Sequence, residues 1–336
     1  MRDVSVAILA ALAPVLVAAG PVGVLPLGAP DKWRDVLVDA AHNRVFVAHG
    51  SEVTVVRAAP LAVTGHITGL DGAHGMALAP DGTLYIASNK GQRVDMADSG
   101  SLRVIGRVPA DADTSAVVYD PASKHVLAIN DDAGNITVID TATRRAVGII
   151  DLGGGEGVGG AVVDGLGHVY VAHAAAAELV RIDTRSGRID ARWKLAGCAR
   201  PLGVAADPTA RRVFVGCVDG GLLVLDAQDG RVVARVATMA GGMAVLFDAR
   251  RHRIYVPNAA GTLSVIGRRG PDTYVAKNNV ATAQGARFGV VDSGSGRLYL
   301  VTADVAGREP PRRPGGQPEW RFVPGSVKLL VFDPPA

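Results

Sequence analysis

Short apolar runs alternate with turn clusters along most of the chain, and the stretch from Asp120 to Leu152 shows the unit most plainly. His125-Val126-Leu127-Ala128-Ile129-Asn130 is apolar and rich in branched residues, the composition of a strand. Asp131-Asp132-Ala133-Gly134-Asn135 follows as a turn, because Gly and Asn accept positive φ. Ile136-Thr137-Val138-Ile139-Asp140 alternates apolar and polar positions, as a half-buried strand does. Thr141 to Arg145 is a second polar turn, and Ala146 to Leu152 an outer strand. One more strand, Ser115 to Tyr119, precedes the stretch and ends at the turn opener Asp120-Pro121. The unit is thus four antiparallel strands joined by short hairpins.

The copies align on the residue that closes the first strand: Asp39, Ala79, Asp120, Asp164, Asp207, Asp248 and Asp292. Their spacings are 40, 41, 44, 43, 41 and 44 residues. Each is followed by an apolar strand core such as Val45-Phe46-Val47, Val169-Tyr170-Val171 or Ile254-Tyr255-Val256. A period of about 40 residues with four strands per unit predicts propeller blades. One such sheet cannot bury both faces alone, so blades pack face to face around an axis. Seven first strands predict seven blades. The last copy stops after its third strand, at Asp333-Pro334. Pro21 to Gly28 matches the outer strand Ala146 to Gly153, which predicts that the N-terminal strand completes blade seven. Closure of that kind removes an open sheet edge. The expected fold class is all-β: a seven-bladed β-propeller of four-stranded antiparallel blades.

The segments Val169-Tyr170-Val171-Ala172 and Ile136 to Thr143 resemble the repeat of the YVTN-type seven-bladed propellers, which include the bacterial periplasmic YncE-like proteins. Arg200-Pro201-Leu202-Gly203-Val204-Ala205-Ala206-Asp207-Pro208 resembles that family's blade opening. The resemblance covers residues 21 to 336. It implies the fold, and roles in cell-envelope binding, DNA binding or protein scaffolding.

Composition narrows the classes. Apolar content of 48% suits a chain dense in buried strands. The 35 Lys and Arg against 32 Asp and Glu give a formal charge of +3, without the clustered basic patch of a dedicated nucleic-acid binder. Val4 to Gly20 is an apolar run behind Arg2 that ends in small residues. It reads as a secretory signal peptide over residues 1–19, cut near Ala19, leaving one propeller domain over 20–336 with no membrane span. Export makes the chain periplasmic or secreted. Cys198 and Cys217 fall at the same end of blade five, and an oxidising compartment would let them form a disulfide; two separate thiols are the alternative.

In such a ring the loops that enter the first strands and leave the second strands share one face. Five residues before each aligned position stand Arg34, His74, Ser115, Gly159, Leu202, Met243 and Arg287. The second strands end at His49, Ser88, Asn130, His173, Cys217, Asn258 and Thr302. The first ring lacks Asp and Glu, although Asp35 and Asp113 lie close by, which argues against a calcium-dependent hydrolase. Arg34, Arg287 and His74 form a basic arc once the ring closes, suited to a carboxylate or phosphate. Pairing of those arginines with Asp31 or Asp35 is the competing reading. His49, His74 and His173 give a candidate ligand-binding set, but His173 lies across the ring, and no metal or cofactor is expected. Solvent-exposed loop histidine is the default for these positions. The aligned Asp set reads as turn capping. Tyr85, Tyr170, Tyr255 and Tyr299 read as packing between blades.

One blade departs from the pattern. Between its second and third strands, blade seven carries residues 303–325, rich in Pro and Gly, where other blades use about three to six residues. Arg312, Arg313, Trp320 and Arg321 are its candidate partner-binding residues, with Phe322 beside them. The leading reading is a non-catalytic binding or scaffold protein of the cell envelope. Its partner would be a protein or a small anionic ligand. A propeller-type lyase or hydrolase acting on an anionic small molecule, and a DNA-binding propeller by family analogy, are the alternatives.

Overall fold

Each repeat folds as one four-stranded antiparallel sheet, and seven such sheets stand around an axis in the computed structural model, which describes residues 16–17, 20–154, 157–310 and 319–335. The innermost strands are Trp33–Asp39, Ala73–Leu78, Thr114–Asp120, Val158–Val163, Pro201–Asp207, Leu246–Asp248 and Phe288–Val291. They touch in that order, and the seventh touches the first, so the ring is closed. The second strands, such as His125–Asn130 and His168–His173, are buried along almost their whole length. Outer strands reach solvent: in Arg145–Asp151 only Ile150 is buried. Blade six departs from the unit, because its outer strand is split into Tyr274–Ala276 and Asn279–Ala281.

Closure occurs as the sequence predicts. Gly23–Gly28 pairs antiparallel with Val327–Phe332, with Val24 opposite Leu330 and Leu25 opposite Leu329. Pro26 sits on this outermost strand, where its missing N–H costs no ladder bond on the solvent side. Of the segment 1–19 that the sequence leads one to expect as a signal peptide, residues 1–15 and 18–19 lie outside the described residues. Leu16–Val17 pairs in parallel with Asn279–Val280 of blade six. No helix among the described residues is long and apolar enough to cross a membrane.

The core lies between blades rather than within one central mass. Phe46, Ala48 and Val55 of blade one meet Met76, Leu84 and Ile86 of blade two. At the closing seam, Trp33, Val45 and Val47 of blade one meet Tyr299, Val301 and Leu329 of blade seven. Each large apolar side chain buried this way contributes about 1.5–3 kcal/mol. Tyr85, Tyr170, Tyr255 and Tyr299 are all buried in these seams. The aligned aspartates cap turns, as expected. The carboxylates accept from His42 N, Ser123 N, Leu166 N, Ala210 N, Arg250 N and Gly294 N, in blades one, three, four, five, six and seven. Several also tie blades together: Asp120 accepts from Thr184 Oγ1 of blade four at 2.6 Å.

Around the axis, inner strands approach so closely that side chains must be small. The residue four before the aligned position is Gly75, Ala116, Gly160, Gly203 or Ala244 in blades two to six. A Cβ on Gly75 would stand 2.7 Å from Ala116 Cα, and one on Gly203 would stand 2.7 Å from Ala244 C and Val245 N. Both meetings are with the backbone of the next blade, which cannot swing away. Blade five is fastened further by a disulfide between Cys198 and Cys217, whose Cα atoms are 5.4 Å apart. Pro201, not Leu202, stands opposite Cys217, because a bulge shifts the register there.

Gly203→Ala is expected to destabilise the fold by about 1–3 kcal/mol through overpacking. Gly148→Ala, on the exposed outer strand of blade three where a Cβ meets nothing within 4 Å, should leave stability unchanged or raise it slightly. Thermal melts of the two variants check the contrast. A chain starting at Gly20 should melt cooperatively, whereas a chain starting at Ala29 should lose that transition and aggregate, because its blade-seven edge is bare; circular dichroism and light scattering read the difference.

Candidate functional site

Five inner strands carry a β-bulge near their first residues: between Trp33 and Asp35, Ala73 and Met76, Thr114 and Ala116, Val158 and Ala161, and Pro201 and Val204. A bulge sets two residues against one and re-aims a side chain. It falls on the ring position singled out from the sequence. Arg34, His74, Ser115, Gly159 and Leu202 accordingly line a cavity of about 430 Å³ at the axis, and Met243 of blade six, without a bulge, lines it beside them. Arg287 does not line it. Its guanidinium lies 5.3 Å from the Phe288 ring centroid, and Phe288 with Gly289 forms that part of the wall. The basic arc expected from Arg34, His74 and Arg287 is therefore not assembled around the cavity.

Most polar groups of the wall fasten one blade to the next. Asp35 accepts from Val36 N and, across the seam, from Met76 N, both at 2.9 Å. His74 Nδ1 donates to Ser115 O of blade three. Asn89 Nδ2 donates to Asp113 Oδ1 at 2.9 Å. Asp131 Oδ1 accepts from Gly157 N and Val158 N at the start of blade four. Burial pushes the Asp35 carboxyl up to about 7 and, together with the Arg34 guanidinium, pushes the His74 imidazole down to about 4. The imidazole is therefore neutral at physiological pH. Burial also raises Asp131 above the usual carboxylate range, and the nearby Asp113 adds to the effect. The wall holds no nucleophile bonded to a base. Among the described residues no group of three or more His, Cys, Asp or Glu is placed to hold a metal.

The second ring is not at the surface, and the histidines in it are corrected from exposed to buried. His49 is fully buried; its Nδ1 bonds Pro30 O at 2.6 Å and its Nε2 bonds Thr54 Oγ1 at 2.7 Å. The equivalent residues make equivalent ties: Ser88 to Asp95, Asn130 to Thr137, Asn258 to Thr262 and Thr302 to Gln284 O. Cys217 makes its tie covalently, to Cys198. His173 is 2% exposed, and neither ring nitrogen has a partner among the described residues. Blade four presents Val180 where blades one and three present Thr54 and Thr137. Apart from His173, the polar side chain at this strand end is bonded to the next strand or to a loop of the same face.

Within 303–325 the described flanks pair as a two-stranded antiparallel sheet, and residues 311–318 lie outside the described residues. Val305–Glu309 pairs with Glu319–Phe322. Arg308 lies over the Trp320 ring, 4.2 Å from its centroid, and Arg321 Nη2 reaches Ala306 O. Phe322 packs edge-on against Trp33 with centroids 4.8 Å apart, beside the opening of blade one. Trp33 Nε1 in turn donates to Gly285 O of blade seven. These contacts seat the base on the seam between blades one and seven. Arg312 and Arg313 lie outside the described residues. Sequence reasoning missed Asp131, read there as a turn residue; its position directly after the second strand was the available signal.

Asp35 and His74 load the ring with opposite pH dependences. Asp35 holds its proton more tightly folded than unfolded, so its contribution is present below pH 4 and is lost as pH rises through about 7. His74 binds its proton less tightly when folded, so its contribution is present above pH 6.5 and is lost as pH falls through about 4. Between those limits the two offset each other. Asp35→Asn should therefore lose stability relative to the parent as pH falls from 7.5 to 4.5, on the order of 1–3 kcal/mol after screening by solvent in the channel. His74→Asn should gain relative stability over the same range. Denaturant melts at the two pH values measure both differences.

No family model and no curated protein matches the chain in sequence. Solved structures match its shape. The WD40 repeats of RRP9 superpose with a TM-score of 0.78 at 11% identity, covering 94% of this chain and 99% of that one. A chain of the mitotic checkpoint complex gives 0.75 at 16% identity, covering 99% and 98%. A chain of hydrazine synthase from Kuenenia stuttgartiensis gives 0.70 at 16% identity, covering 82% and 92%. At these identities the likeness is one of fold, and the fold is a seven-bladed β-propeller.

Proposed function

We propose that this protein is an exported binding propeller of the YncE-like kind, which holds a protein partner of the cell envelope at the channel rim without turning over a substrate. One observation carries the reading. Asp35, His74 and Asp131 each bond to the neighbouring blade, and among the described residues none is bonded to a nucleophile, while the strand pair Val305–Glu309 and Glu319–Phe322 packs through Phe322 against Trp33 at the opening of blade one. Trp and Arg pairs on a rigid element are the side chains that anchor interfaces, and Arg308 stacked on Trp320 is such a pair. The apolar leader and the disulfide in blade five support delivery to an oxidising compartment.

The test uses immobilised mature protein and an envelope extract, with retained proteins identified and quantified by mass spectrometry. The double variant Arg308→Ala, Trp320→Ala is expected to lower retention of the partner about tenfold or more. The variant Arg103→Ala, Ile105→Ala, on the outer strand of blade two, should retain it fully. An unchanged retained set from the hairpin variant would remove the hairpin from the function.

A further inference from the structure

The cavity at the axis has two unlike halves. Blades one to three supply the charged and hydrogen-bonding groups: Arg34, Asp35, His74, Asp113, Ser115 and Asp131. Blades four to six supply a wall of small and apolar groups, including Gly160, Leu202, Gly203, Met243 and Val245. At about 430 Å³ the space suits one small molecule.

The polar half is rich in acceptors. His74 donates through Nδ1 to a backbone carbonyl, which leaves Nε2 as a lone pair without a bond to any described residue. Asp131 takes both of its backbone bonds on Oδ1, and Asp113 takes Asn89 on Oδ1, so among the described residues the second oxygen of each is spare. The two carboxylates are neighbours, since Asp131 N donates to Asp113 O at 2.9 Å. The lining holds three carboxyl groups, Asp35, Asp113 and Asp131, against one guanidinium, that of Arg34. An anion would meet the spare oxygens without donors. An ammonium brings three donors and a positive charge.

We propose that the channel mouth is a binding site for a small amphipathic organic cation, a primary alkyl or arylalkyl ammonium, with its head against Asp113, Asp131 and His74 and its body against blades four to six. The proposal rests on the binding reading of this face, but it concerns the channel and not the hairpin, so the two fail separately.

Three probes of one body and different heads test it: n-hexylammonium, n-hexanol and n-hexanoate, titrated into the mature protein by calorimetry at pH 7.5. The ammonium is expected to bind saturably at one per chain, at least tenfold more tightly than hexanoate, with the alcohol between. Asp113→Asn should weaken the ammonium about tenfold while leaving the melting temperature unchanged. Met243→Asp, which spoils the apolar half, should weaken hexanol as well. Arg308→Ala, Trp320→Ala should leave all three affinities unchanged even if it abolishes partner retention. Absence of saturable ammonium binding, equal or tighter binding of hexanoate, or an unaffected Asp113→Asn variant that melts like the parent would each overturn the proposal.

Discussion

The ring depends on how closely the inner strands can stand. Those of blades two to six contribute a glycine or alanine where they face the next blade, and a Cβ at Gly75 or Gly203 would be driven into neighbouring backbone. Sheets that twist and fan out from an axis must be most crowded at the axis. Small residues there let the broad apolar faces further out meet at van der Waals distance. The bulges follow from the same crowding: they absorb the extra residue, and in doing so turn the preceding side chain toward the channel. The cavity wall is thus a by-product of packing, filled with whatever each blade has at that place.

Polar chemistry is distributed unevenly on that scaffold. Blades one to three place charged groups at the axis, and those groups bond across seams to backbone N–H and C=O that the bulges leave outside the ladders. Buried backbone groups need such partners. Blades four to six meet instead through glycine and apolar contacts, and blade five adds a covalent tie. That contrast holds at the axis; further out, Arg181 of blade four donates to Ala227 O of blade five at 2.8 Å, and Arg212 of blade five pairs with Asp272 of blade six.

Much of this was legible from the residues. The seven aligned positions, the turn-capping aspartates and the outer strand donated by Pro21 to Gly28 all follow from a periodic pattern, because each depends on local turn chemistry and strand alternation. Six of seven first-ring residues reach the cavity for the same reason. Arg287 does not, because Phe288 forms the wall in its place. The second ring misled because polarity at a strand end has two sources, solvent and internal ties, and a single sequence cannot separate them; His49 and Asn130 are of the second kind. Pairing across blades, such as Asp131 with Val158 N, was out of reach because it depends on distances between repeats rather than within one.

The seam between Gly23–Gly28 and Val327–Phe332 has a consequence for how the molecule comes into being. All seven blades lie between the partners that lock the circle, so the loop to be closed spans the whole ring. During folding, Gly23–Gly28 waits unpaired until Val327–Phe332 is in place. Blades can form one after another in the meantime, but the assembly stays an open crescent with two exposed edges. Completion therefore follows the forming of the seventh blade, and a ring that lacks Val327–Phe332 is left with no clasp at all.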